Sequence, residues 1–187
     1  MKNLMLICCL LLVGFTSLQA QKYFTKEGTI TFHSDAPLEK IEAINNSVTS
    51  VIDLESGRME FAVLIKAFQF EKALMQEHFN ENYMESSKYP KGTFKGQITN
   101  MDAINFSKNG TYQANIKGDL TIHGKTQSIE TKGQFEVNQA QISGTASFVI
   151  LVADYDIEIP NVVKDNIAKE VKIDVNCNYK ELKKGVQ

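Results

Sequence analysis

The sequence predicts an all-β fold, an eight-stranded antiparallel barrel with one amphipathic helix and a short second helix. Three observations lead there: residues alternate apolar and polar through most of the chain, glycine-bearing turns separate the alternating runs, and only two segments break the period.

The most regular run is Thr111 to Ile122. Tyr112, Ala114, Ile116, Gly118, Leu120 and Ile122 share one face, and polar residues fill the other. The next run places Ile129, Thr131, Gly133, Phe135 and Val137 on one side. His123-Gly124 lies between them, with glycine where a primed hairpin turn needs it. Ile142 to Ile150 and Val171 to Tyr179 continue the pattern. In the first half, Ile30 and Phe32 alternate with Thr29, Thr31 and His33. Val48–Glu55 and Met59–Lys66 flank a Ser56-Gly57 turn, and Phe94, Gly96 and Ile98 form a short run. Eight half-apolar strands must hide their apolar faces. Two packed sheets would do so, but closure into a barrel also removes the exposed edges.

The exceptions are helical. Across Glu71–Tyr83, Leu74, Met75, Phe79 and Tyr83 fall on one arc, with His78 between Leu74 and Asn82. After Pro160, Asn161 to Ala168 has room for one or two helical turns, with Asn161 as the N-cap. Pro37 to Ser50 reads as a compact stretch.

Met1–Ala20 has the layout of a signal peptide: Lys2, an apolar run from Leu4 to Phe15, then small and polar residues ending at Ala20. Ile7 before Cys8 argues against a lipoprotein. Cleavage leaves one domain, Gln21 to Gln187, in the periplasm or secreted. That mature chain carries a single cysteine, Cys177, and a formal charge of −3 from 19 basic and 22 acidic side chains. No second apolar stretch is long enough to span a bilayer, so no integral membrane protein is expected. Both signs of charge are scattered, which excludes a nucleic-acid footprint. A lone inward cysteine forms no internal disulfide, and a homodimer stays open.

Catalytic and metal patterns are missing. There is no G-x-S-x-G elbow, no phosphate-loop spacing and no calcium-loop spacing around Asp154-Tyr155-Asp156, which reads as a solvated turn. His33 and His123 have no second ligand at short spacing, and His123 is explained by its turn. No enzyme, metal or cofactor is expected, apart from a bound isoprenoid or quinone lipid.

Gly96, Gly118, Gly133, Gly144, Ala114 and Ala146 all fall on the apolar faces. Either these small residues mark bends where strands coil, or the barrel is hollow. On the hollow reading a leucine at Gly133 enters empty space at little cost in stability. The chain has eleven Phe and no Trp, and Phe32, Phe61, Phe79, Phe94, Phe135 and Phe148 are the candidate aromatic lining. Val63, Leu74, Met75, His78, Tyr83 and Ile116 complete the candidate lipid-binding set. His78 is either bonded to a nearby backbone carbonyl or placed against a ligand's head group at the mouth.

Three stretches carry a family resemblance. They are Met75–Phe79 with Lys88-Tyr89-Pro90 and Phe94-Lys95-Gly96, then Lys117–Thr126 with its Leu120-Thr121-Ile122-His123-Gly124 core, then Asp154–Ile157 with the closing strand to Tyr179. In order and spacing, from Glu27 to Tyr179, the chain resembles the YceI-like family of exported lipid-binding proteins. The resemblance implies a lipocalin-like barrel around a lipid tunnel, with a polyisoprenoid, quinone or fatty chain as ligand. A K-H-x-G phrase of that family is absent here. The leading expectation is a non-catalytic periplasmic binding or carrier protein. A structural or stress-response barrel with a filled core and a protein partner is the alternative.

Overall fold

Alternation over long runs gives long strands, and the strands are longer than the clearest runs suggest. The computed structural model describes residues 21–139 and 141–182; the expected leader, Met1–Ala20, lies outside them. Among the described residues, eight long strands form one closed antiparallel barrel. They are β1 (Lys22–Asp35), β2 (Lys40–Asp53), β3 (Arg58–Leu64), β5 (Lys91–Ile98), β6 (Gly110–Ile122), β7 (Lys125–Asn138), β8 (Gln141–Leu151) and β9 (Glu170–Glu181). A two-residue strand, β4 (Gln69–Phe70), pairs only with β2. The order around the barrel is β1-β9-β8-β7-β6-β5-β3-β2, and β1–β2 pairing closes it.

The Pro37–Ser50 stretch is not compact beyond its turn: from Lys40 it is strand. Ala43 and Asn45 point inward, then the inward set shifts to Val48, Ser50 and Ile52. The β1–β2 register slips on both sides of the Gly28–Val48 pair, so period two breaks within each strand. Buried Asn45 uses the irregularity. Its amide donates to the Leu64 carbonyl at 2.9 Å, joining β2 to β3 beyond the last pair of their ladder, and its oxygen accepts from the Ser47 N–H at 2.9 Å.

The helix α1 (Ala73–His78) continues as a π-helical turn, Phe79–Tyr83, and lies between β4 and β5. The expected second helix shrinks to one 3-10 turn, Asn161–Val163. Pro160 holds its cap position and no side chain caps it, so Asn161 is not the N-cap. A helix this short gains little from propensity, and the segment is held by tertiary bonds instead. Leu38 N–H donates to the Asp165 carbonyl at 3.0 Å, and Ala168 N–H donates to Ser34 Oγ at 2.9 Å.

The two ends of the barrel differ. At one end the β5–β6 loop sends Met101, Ile104 and Phe106 under the strands, where Phe106 meets Phe135 edge-on at 5.3 Å. Ile52, Ala114, Val137, Ile142, Cys177 and Tyr179 pack above them, each at most 5% exposed. This end is a filled core. The other end is framed by the β1–β2 turn, α1, the β6–β7 hairpin and the long β8–β9 connection.

The β6–β7 hairpin turns as its sequence predicts, with positive φ at both His123 (50°) and Gly124 (74°). Here the three resembling stretches meet. His123 Nε2 lies 2.9 Å from Glu85 Oε2 and Nδ1 lies 3.1 Å from the Tyr155 carbonyl, while its ring packs edge-on to Tyr89 at 4.7 Å. A β-carbon on Gly124 would meet the Tyr89 ring at 2.6 Å. Tyr155, in the stretch read as a solvated turn, is 1% exposed, and burial pushes its phenol up to about 12. Only its flanking aspartates face water, and Asp156 pairs with Lys125 at 2.6 Å.

Candidate ligand-binding cavity

Inward side chains in the open half of the barrel do not close over the axis. Ile30, Phe32, Ile116, Phe148, Ile150, Ile173 and Val175 point inward yet stay only half-buried, whereas the inward residues of the plugged half are almost wholly buried. Between them lies a cavity of about 410 Å³, open at the mouth and lined almost entirely by aliphatic and aromatic carbon. Among the described residues no group of three or more His, Cys, Asp and Glu side chains is arranged to hold a metal ion.

The strands bring ten of the twelve candidate lining residues together. Phe32 (β1), Phe61 and Val63 (β3), Phe94 (β5), Ile116 (β6) and Phe148 (β8) face the cavity. From α1 and its π-helical turn come Met75, His78, Phe79 and Tyr83. Two do not join them. Leu74 points away from the barrel and is 60% exposed, because the helix presents a narrower arc than its sequence suggests. Phe135 sits in the plug under Gly144, 2% exposed, below the cavity. No buried residue anchors the helix. Phe79 holds it down instead, its ring 5.4 Å from Phe32, 5.7 Å from Phe68 and 5.0 Å from Phe70.

Alternation carried more lining residues than the aromatic criterion selected. Ala146 and Ile150 flank Phe148 at two-residue spacing, and Ile173 and Val175 continue the face begun by Val171. Ile157, Ile159, Val163 and Ile167 come from the β8–β9 connection, which has no period to read.

The ionisable groups of the lining, Glu39, His78 and Tyr83, gather at the mouth. Glu39 accepts from Lys72 Nζ and from Asn166 Nδ2, each at 3.4 Å, tying the β1–β2 turn to α1 and to the β8–β9 connection. His78 is exposed at this rim, and its ring makes no hydrogen bond among the described residues, so the bond to a backbone carbonyl is not formed. Burial raises the Tyr83 phenol beside it.

The small inward residues act differently from the hollow reading. Gly96 and Gly118 pair directly across β5 and β6, and a β-carbon on Gly118 would meet the Phe94 ring at 2.7 Å. A β-carbon on Gly133 would meet Ile116 Cδ1 at 2.8 Å and the Thr145 carbonyl at 2.9 Å. On Gly144 it would meet the Phe135 ring at 2.9 Å. These glycines seat neighbouring side chains rather than open the tunnel, and Gly133 does not border empty space. Cys177 is buried among them, and its thiol is pushed up to about 11 by burial.

Fold and site together define a closed antiparallel β-barrel, plugged at one end and carrying an apolar pouch at the other. The chain belongs to the YceI-like domain family, whose pattern it matches over residues 13–179. Among solved structures it is similar to a polyisoprenoid-binding domain from Saccharophagus degradans, at 14% identity and a TM-score of 0.74, covering 87% of this chain and 99% of that one. It is also similar to BcnA of Burkholderia cenocepacia, at 16% identity and a TM-score of 0.67, covering 82% and 96%. A YceI protein of Campylobacter jejuni aligns over 98% of this chain and 100% of its own at 16% identity, with a TM-score of 0.53. No curated protein matches the chain. No helix of the described residues is long and apolar enough to cross a membrane.

Proposed function

We propose that this protein binds or carries a long apolar lipid, a polyisoprenoid, quinone or fatty chain, and catalyses no reaction. The observation that carries the proposal is the pouch itself: about 410 Å³ of space lined almost entirely by carbon, with its charged and ionisable groups at the mouth. Such a site offers area and few directed contacts, which suits a ligand that is mostly hydrocarbon. The S. degradans domain of the same fold is a polyisoprenoid-binding one, which supports an isoprenoid among the candidates. Phe32, Phe61, Phe79, Phe94 and Phe148 would line the chain, and His78 and Tyr83 would meet its head group. The leader sequence supports a site of action in the periplasm or outside the cell.

Native mass spectrometry of protein purified from its own host tests all of this in one spectrum. The expected result is a chain starting at Gln21 with a lipid mass that dissociates on activation. A lipid-free chain that also fails to take up a fluorescent polyene would overturn the carrier reading and favour a structural barrel. A retained Met1 would overturn the export reading.

A further inference from the structure

The pouch stops partway down the barrel. Ile30 on β1, Met59 on β3, Ile116 on β6, Thr131 on β7, Ala146 on β8 and Val175 on β9 are the lowest lining residues of their strands, and the residues two positions further into the plugged half no longer touch it. Phe94 lies across that level. Its ring rests over the paired Gly96 and Gly118, where any β-carbon would collide with it, and it meets Phe61 edge-on at 6.1 Å. It is 9% exposed and packs onto the plug beneath. Seated on two glycines and against Phe61, the ring meets the packed core on one side and the pouch on the other.

Resting on the carrier reading above, we propose that Phe94, backed by Met59 and Ile116, is the floor that sets the length of hydrocarbon the protein encloses. The depth of the pouch along its strands gives that length. Along β8 the lining runs from Ile150 to Ala146 and along β6 from Ile122 to Ile116, about 13 to 20 Å at a strand's rise. An extended covalent chain advances about 1.2 Å per bond, so that depth takes roughly a dozen to sixteen carbons. The ligand class is therefore a single chain that inserts apolar end first with about fourteen carbons enclosed. A longer isoprenoid leaves its remainder at the mouth, beside His78 and Tyr83.

Straight-chain primary alcohols of about ten to about twenty-two carbons, competing with a bound fluorescent polyene, read this directly. In the parent protein affinity should rise about fourfold per added methylene. It should then level off at about fourteen carbons, the middle of the range the depth allows. Phe94→Ala removes the floor and should move the break about three to four carbons longer. Ala146→Leu fills the same level from β8 and should move it about three carbons shorter. If Phe94→Ala does not fold, the Ala146→Leu shift decides alone. A break at the same length in both variants, or no break in the parent, would overturn the floor while leaving the carrier reading intact. A parent that binds no alcohol of any length would remove both.

Discussion

Gly133 shows how much one position depends on what lies over it. Its β-carbon site is occupied by Ile116 Cδ1 and the Thr145 carbonyl, so Gly133→Leu forces overpacking between β6 and β8. A destabilisation of about 1–3 kcal/mol is expected, a fall in Tm of roughly 2 to 12 °C for a chain of this size. Ala146→Leu, one strand away but facing the pouch, should leave Tm close to the parent's. A thermal melt in which Gly133→Leu matches the parent would show that the gap can open. Which glycines border space was not legible from alternation, because period two reports the face of a strand and not what covers it. His123 was hidden for a related reason. The sequence places it in a turn, but Glu85 and Tyr155, which hold it, are 38 and 32 residues away. Residues that match the family most specifically therefore knit the mouth-side loops together, while much of the lining is ordinary aliphatic alternation.

At the scale of elements, the helix is the part least tied down. It buries no residue of its own and depends on the Phe32, Phe68, Phe70 and Phe79 cluster. Phe79→Ala should cost about 2 kcal/mol of local stability, below the full cost of a core phenylalanine because the ring is only half-buried. Hydrogen exchange at the amides of α1 should then quicken about thirtyfold while β6 and β7 are unchanged. Equal protection in the variant and the parent would mean that something other than this cluster holds the helix. The helix itself was legible, since Met75, Phe79 and Tyr83 recur at helical spacing. The mouth-side half of β2 was not, because inward Asn45 looks polar and a register slip divides the apolar set.

For the whole molecule, the sequence carried the barrel, since eight alternating runs with short turns leave few other ways to hide their apolar faces. It did not carry the division of the interior into a filled half and a hollow half. That division arises from the β5–β6 loop tucking Phe106 beneath Phe135, a tertiary event with no local signal. The plug has a kinetic meaning. With one end sealed, a passenger must leave by the way it came, and the next cannot board until the seat is vacant. Stopped-flow release of a bound polyene should therefore follow a single first-order rate whatever the excess of competitor, whereas a pipe open at both ends would empty faster as competitor pushed through. A pouch of this shape takes one chain at a time, and the turnover of whatever occupies it is limited by departures.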